Sequence, residues 1–100
     1  MFTQQSMVSL GRIELFQNRP NPFDEATYIS FMVHEYVDHT KAAVVIRDLN
    51  GKEIKRMPVQ VREGLNEILY DHGYNVVGTF VYSLELDGKI VDSRQMVFAN

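Results

Sequence analysis

Hydrophobic residues alternate with polar residues along most of this chain, and a period of two is typical of half-buried β-strands. In the segment 26–34 the apolar side chains of Ile29, Phe31 and Val33 fall on one side of the predicted strand. The segment 79–86 alternates in the same way, and no long stretch keeps the period of a helix. The pattern therefore predicts an all-β chain.

Two dipeptides mark positions at which these strands turn back. Asn50-Gly51 and Asp87-Gly88 are strong signals for tight hairpins, because their residues accept the positive φ values that two-residue turns require. The return strand after the first hairpin, residues 53–60, contains Pro58, which cannot donate to a hydrogen-bond ladder. We expect this strand to lie at a sheet edge or to be broken by a bulge.

The other apolar segments complete a sandwich. Residues 13–17 are predicted as the first strand, and in the strand 65–70 either Asn66, Ile68 and Tyr70 point inward or their neighbours do. About seven short strands separated by turns predict an immunoglobulin-like antiparallel β-sandwich. A chain of 100 residues holds one such domain, which we assign to residues 13–100, with residues 1–12 as a linker or lead-in strand.

Composition excludes several kinds of partner. The net charge is −3 and the ten basic residues are scattered, so the clustered positive surface that nucleic acids require is missing. The chain has no cysteine, which removes disulfides, thiolate metal sites and a cysteine nucleophile. No apolar run approaches the roughly 20 residues that cross a bilayer, so we predict no membrane span. The first residues also lack the pattern of a secretory signal.

No group of residues points to catalysis. His34, His39 and His72 lack the spacing of metal ligands and are interpreted as solvated or turn residues. The sequence has no G-x-S-x-G turn to expose a serine, and its six glycines stand singly rather than in a phosphate-binding loop. We therefore predict that the chain is not an enzyme and binds no cofactor or metal.

The stretch QNRPNPF, which ends at Phe23, is the least ordinary part of the sequence. Pro20 and Pro22 fix φ and restrict the residues before them, which predicts a stiff, extended elbow beginning at Asn18. The amide side chains of Asn18 and Asn21 are expected to bond nearby backbone and close the turn. Phe23 is expected to plug one end of the core, close to Ile29, Phe31, Tyr82 and Leu84.

Several segments, in this order, resemble a known family: LFQNRPNPF, ATYISF, VVIRDLNGKEI, GLNEI and GTFVYSLELDGKIVDSRQMVF. They are similar to the type A C-terminal sorting domain of the type IX secretion system of Bacteroidetes, over about Leu15 to Asn100. Phe80 stands where the family has a tyrosine, and Arg94-Gln95 stands where it has a lysine pair. The residues that carry the motifs are the predicted recognition residues: Asn18, Pro20, Asn21, Pro22, Phe23, Gly51, Gly78, Tyr82, Gly88, Lys89, Arg94 and Met96.

The resemblance implies an immunoglobulin-like sandwich that acts as a secretion and sorting signal. Its partners would be the protein components of the outer-membrane secretion and sortase machinery, which carry the cargo through the periplasm and outer membrane to the cell surface or the medium. On this interpretation the sequence is the C-terminal part of a longer cargo and is a monomer as an isolated domain. The alternative is an accessory module that binds a glycan or a neighbouring domain, with Tyr28, Tyr36 and Tyr74 as outward aromatic candidates.

Overall fold

The computed structural model describes residues 12–73 and 76–99, and this part of the chain contains seven antiparallel strands. They are β1 (Ile13–Leu15), β2 (Ala26–Val33), β3 (Ala42–Arg47), β4 (Glu53–Pro58), β5 (Gly64–Asp71), β6 (Gly78–Leu86) and β7 (Lys89–Phe98). One sheet has the strand order β1-β2-β5 and the other the order β4-β3-β6-β7. The predicted all-β sandwich is confirmed. No helix in the described residues is long and apolar enough to cross a membrane. All but the last residue of the predicted lead-in segment 1–12 lies outside the described ranges.

The core lies between the two sheets and is built from alternate strand positions. Its fully buried side chains include Ile29 and Phe31 from β2, Tyr70 from β5, and Tyr82 and Leu84 from β6. Burying one large apolar side chain contributes about 1.5–3 kcal/mol, and a slip of one residue would turn a whole strand's apolar set to solvent. The alternation in the sequence therefore fixes which face of each strand points inward.

The prediction that the strand with Pro58 lies at a sheet edge is confirmed for β4. It pairs with β3 alone, its register shifts between Ile46 and Arg47, and it ends at Pro58 opposite Ala43. Because β4 joins β3, the sheets hold three and four strands rather than the four and three of a constant-type immunoglobulin domain.

Both predicted hairpins form, but one of them has a different turn. Asp87 and Gly88 have φ values of 51° and 81°, as the predicted two-residue turn requires. In the first hairpin the amide of Gly51 donates to the carbonyl of Asp48 at 3.0 Å, so the loop begins earlier and takes three residues. The Asp48 carboxylate accepts the amide of Asn50 at 2.9 Å and stabilises this longer loop. The predicted hairpin at Asn50-Gly51 is therefore confirmed, with Gly51 at a φ of 88° in a loop of three residues.

Candidate functional site

The predicted elbow, residues 18–23, folds around the buried side chain of Asn18. The Nδ2 atom of Asn18 donates to the carbonyl of Pro20 and to Oγ1 of Thr27, both at 3.0 Å. The Thr27 hydroxyl donates to the same carbonyl at 2.8 Å, and both X-Pro peptide bonds of the elbow are cis. The expected bond from Asn18 to nearby backbone is confirmed. The expected extended shape is wrong, because the backbone bends at residues 20–22, where Asn18 and Thr27 both bond to the carbonyl of Pro20.

Backbone hydrogen bonds join the end of the elbow to β7, the last strand. The amide of Phe23 donates to the carbonyl of Val97 at 3.0 Å, and the amide of Ala99 donates to the carbonyl of Phe23 at 2.9 Å. Phe23 and Phe98 thus form a short parallel bridge at the edge of the four-stranded sheet. Since an edge strand exposes a row of unpaired N–H and C=O groups, the elbow covers this end of the edge.

Two side-chain amides extend the same contact. The Oδ1 atom of Asn21 accepts the amide of Val97 at 2.9 Å, and the Nε2 atom of Gln17 donates to the carbonyl of Gln95 at 2.7 Å. The expectation that Asn21 bonds nearby backbone is wrong, because its partner lies on a strand 76 residues later. We call these four bonds between residues 17–23 and residues 95–99 the elbow joint.

An aromatic cluster lies beneath the elbow joint. Phe23 is 2% exposed, and its ring meets those of Phe98, His72 and Tyr70 edge to face, with centroids 5.3, 5.7 and 6.1 Å apart. The prediction that Phe23 is buried in the core is confirmed. Its ring neighbours, however, come from β5, β7 and the residue after β5, rather than from the group Ile29, Phe31, Tyr82 and Leu84 expected from the sequence.

His72 lies at the centre of this cluster, which corrects its interpretation as a solvated or turn residue. Its ring is 4.1 Å from that of Phe98 and 4.9 Å from that of Phe80, measured between centroids. Its Nδ1 atom is 2.7 Å from the hydroxyl of Tyr70. Burial lowers the pKa of His72, against the smaller raising effects of the Val76 backbone and the Asp71 charge.

Two side chains from the four-stranded sheet hold the residues just before the elbow. The hydroxyl of Tyr82 donates to the carbonyl of Phe16 at 2.5 Å, and Nε of Arg94 donates to the carbonyl of Leu15 at 2.7 Å. Burial raises the pKa of Tyr82 to about 12, with smaller opposing effects from the Asn18 backbone and Arg94. Arg94 is an exposed residue, and its bond to the Leu15 carbonyl connects β7 to β1.

The structure brings some of the predicted recognition residues to the elbow joint and leaves others elsewhere. Pro20 and Pro22 are exposed on the elbow. Gly78 pairs with Phe98, and Met96 is fully buried between the sheets. The remaining residues lie in the two hairpin loops and at the start of β7: Gly51, Gly88 and Lys89. Lys89 is six residues from Gln95, the nearest residue of the joint on β7, or about 20 Å at the usual rise of a strand.

Sequence reasoning assigned neither Gln17 of the joint nor two rings of the cluster beneath it, those of His72 and Phe98. The two ring residues continue the inward period of their strands, since His72 follows Tyr70 by two positions and Phe98 follows Met96 by two. That continued period was the available signal. Gln17 gives no such signal, because its partner is a carbonyl that the fold alone brings near.

A second polar cluster lies on the outer face of the four-stranded sheet. The carboxylate of Glu85, 4% exposed, accepts a bond from Arg47 at 2.8 Å and one from Arg56 at 3.0 Å. Burial by itself would raise the pKa of Glu85, but the two guanidinium groups outweigh it and lower that pKa. With each oxygen bonded to a cation, this carboxylate is held ionised and stabilises the sheet.

The two described aromatic candidates for a glycan site, Tyr28 and Tyr36, lie on different elements of the fold. Tyr28 is 47% exposed on β2, whereas Tyr36 is in a loop with its ring 5.6 Å from that of His39. Tyr74 lies outside the described residues. Within residues 12–73 and 76–99, no group of histidine and acidic side chains is arranged to hold a metal ion.

Comparison with the models of known protein families gave no match, and comparison with curated proteins gave none either. The fold and the joint together define the class of protein: a seven-strand antiparallel β-sandwich whose last strand is covered at its free edge by a proline elbow.

Proposed function

We propose that this chain is a sorting domain of the type IX secretion system, which directs an exported cargo protein to the cell surface or the medium. The observation that supports this function best is the elbow joint. The first and last of the five segments that carry the resemblance are the leading motif at residues 15–23 and the hairpin that ends in β7, and the four hydrogen bonds join these two segments. A signal made of both segments has a fixed shape once the domain is folded.

A protein receptor in the outer membrane would read this shape as one surface. Arg19, Pro20 and Pro22 are exposed on the elbow, and Arg94 is exposed on the neighbouring strand. Since Nε of Arg94 also donates to the carbonyl of Leu15, just before the elbow joint, the position of Arg94 depends on the position of the segment that leads into the elbow. The proposed partners are the protein components of the secretion and sortase machinery.

The test is export of a reporter in a Bacteroidetes strain that has this secretion system. The reporter carries an inner-membrane signal peptide at its front and residues 12–100 at its back, and we expect it at the cell surface or in the medium. In a strain without the secretion system it should remain in the periplasm. A reporter that stays in the periplasm of both strains contradicts the proposal.

A matched pair of amide substitutions asks whether the joint is part of the signal. Asn21→Ala removes the side-chain acceptor of the Val97 amide, whereas Asn50→Ala removes an exposed amide from a hairpin loop. We expect Asn21→Ala to reduce export and Asn50→Ala to leave it unchanged. Equal export of both variants would show that the joint contributes nothing to recognition.

A second pair tests whether positive charge on the last strand is read. Lys89→Gln removes an exposed cation at the start of β7, whereas Arg94→Gln removes a cation and its bond to the Leu15 carbonyl. If charge is read, both variants should be exported less well, including Lys89→Gln with an unchanged melting temperature. If Lys89→Gln is exported normally and Arg94→Gln is both less stable and poorly exported, the role of Arg94 is to hold β1.

A further inference from the structure

The four sheet edges of this sandwich are protected to different degrees. The elbow joint covers the end of the β7 edge at residues 95–99, and nearer the start of that strand the Asp92 carboxylate accepts the neighbouring amide of Ser93 at 2.9 Å. β4 has a register shift and ends in Pro58, and β1 is three residues long. Short strands, prolines and covering segments are the usual ways to prevent pairing at an edge. β5 has eight residues and no proline.

The hydrogen bonds of β2 show which groups of β5 face away from the sheet. Tyr28 exchanges two backbone bonds with Arg19, and the carbonyl of Ser30 accepts the amide of Phe16, so even-numbered residues of β2 bond toward β1 and the elbow. Odd-numbered residues of β2 therefore bond to β5, whose partners Asn66, Ile68 and Tyr70 are even-numbered.

The free edge of β5 is thus formed by the backbone groups of its odd-numbered residues, Leu65, Glu67, Leu69 and Asp71. Among the described residues, none donates to or accepts from these outward backbone groups. The side chains of the same four residues point to the outer face of the sheet, because Asn66, Ile68 and Tyr70 fall on the core side. The sequence left open which face of this strand points inward, and the structure shows that it is the face of Asn66, Ile68 and Tyr70.

The outer face of β5 alternates between apolar and acidic side chains. Leu65 and Leu69 are 61% and 55% exposed, and Glu67 and Asp71 are the exposed acids at the positions between and after them. Glu67 accepts a bond from Arg19 at 3.0 Å and one from the Ser30 hydroxyl at 3.2 Å, both from the side of β2. The leucines are left facing solvent beside a row of unpaired backbone groups.

We propose that the free edge of β5 is a docking site for an extended segment of another protein, whose side chains on this face alternate between cationic and apolar residues. The segment would add a fourth strand to the sheet and take its affinity from backbone hydrogen bonds. Directly opposed side chains on neighbouring strands interact favourably when they are oppositely charged or both apolar. Cations would lie opposite Glu67 and Asp71, and apolar side chains opposite Leu65 and Leu69.

The same pattern argues against a second copy of this chain as the occupant. If two β5 strands pair antiparallel with Leu65 opposite Leu69, Glu67 lies opposite its own counterpart. A shift by two residues places each leucine opposite an acid. Like charges directly opposite one another are destabilising, which disfavours the first register, and a leucine opposite an acid has no apolar partner, which disfavours the second. A cationic segment avoids both costs. This inference is independent of the proposed sorting function.

The test uses two synthetic peptides of the same length. One is acetyl-Thr-Lys-Thr-Val-Thr-Lys-Thr-Val-Thr-amide, and the control has glutamate in place of both lysines. Each is titrated into the ¹⁵N-labelled domain at low salt, and amide shifts and hydrogen exchange are followed. We expect the lysine peptide to bind at least tenfold more tightly, to shift resonances of β5, and to slow exchange of the Leu65 and Leu69 amides.

Two variants locate the contact at this edge. Leu69→Pro removes an outward amide that the sheet does not use, so it should abolish binding, whereas Leu69→Ala keeps that amide and should retain most of it. Circular dichroism checks that both variants fold. If Leu69→Pro does not fold, Leu65→Pro at the other end of the edge replaces it. Asp71→Lys should reduce the ratio between the affinities for the lysine peptide and for the glutamate peptide.

Three results would overturn the inference. Equal binding of both peptides would remove the charge preference, and shifts confined to other strands would place the contact elsewhere. Concentration-dependent dimerisation through β5, measured by analytical ultracentrifugation, would show that a second copy occupies the edge.

Discussion

Replacing Phe23 with alanine tests whether the aromatic cluster holds the last strand in place. Phe23 is 2% exposed and its ring touches three other aromatic rings, so little relaxation can fill the cavity. Truncating a buried phenylalanine costs about 3–5 kcal/mol. A domain of this size has about 5–15 kcal/mol of total stability, so we expect the melting temperature to fall by roughly 20 °C.

The assay combines urea unfolding with hydrogen exchange. The backbone bonds of Phe23 to residues 97 and 99 lose the packing beneath them, so the amides of Val97 and Ala99 should exchange faster than those of β3 and β6. Tyr28→Ala is the control, because Tyr28 is 47% exposed and its loss should cost much less. If Phe23→Ala and Tyr28→Ala melt at the same temperature, or if exchange rises equally in all strands, the cluster does not hold the last strand.

Four further substitutions have definite expectations. Asn18→Ala removes one hydrogen-bond donor from the buried Thr27 hydroxyl and one from the part-buried carbonyl of Pro20, and should cost about 1–3 kcal/mol in urea unfolding. Tyr82→Phe removes the donor to a part-buried carbonyl and should cost about 1–3 kcal/mol, with no change in the strand content seen by circular dichroism. Because burial lowers the pKa of His72, the unfolded chain binds its proton first, and stability is lost as pH falls below about 6.5. His72→Gln should reduce this pH dependence, which urea unfolding at several pH values below 6.5 would measure. Glu85→Gln should cost about 1.5–3 kcal/mol of stability at pH 7, because it weakens the bonds to Arg47 and Arg56. Since the pKa of Glu85 is lowered in the folded state, the difference in melting temperature between the two proteins should shrink as pH falls below about 4.3.

Much of the fold follows from local pattern. The alternation in β2 and β6 predicted which face of each strand is buried. Successive side chains of a strand point to opposite faces of its sheet, so apolar residues at every second position lie on the one face that packs against the other sheet. The Asp87-Gly88 turn was predicted because its φ values are a property of those two residues. The hairpin at Asn50-Gly51 was predicted in the same way, but its loop length was not, because the Asp48 carboxylate accepts the amides of Asn50 and Lys52 and stabilises a loop of three residues.

The candidate site was less predictable because its contacts are not local. The amide of Asn18 bonds within its own turn, which sequence rules describe well, whereas that of Asn21 bonds to a strand at the other end of the chain. No rule based on neighbouring residues identifies the carbonyl of Gln95 as the partner of Gln17. Such pairs are known once the topology has placed β1 beside β7.

The non-local bonds change how a motif in this segment must be interpreted. The amides of Asn18 and Asn21 and the ring of Phe23 all have structural partners, so a substitution at any of them alters the position of residues 95–99 as well as the surface of the elbow. Reduced export of such a variant is therefore evidence for recognition of the elbow only if residues 95–99 keep their protection from exchange. The same condition applies to Pro20, because its carbonyl accepts the side-chain amide of Asn18 and the hydroxyl of Thr27. Under the proposed sorting function, the residues that would be recognised are also residues that hold the fold, and hydrogen exchange at Val97 is the measurement that separates the two roles.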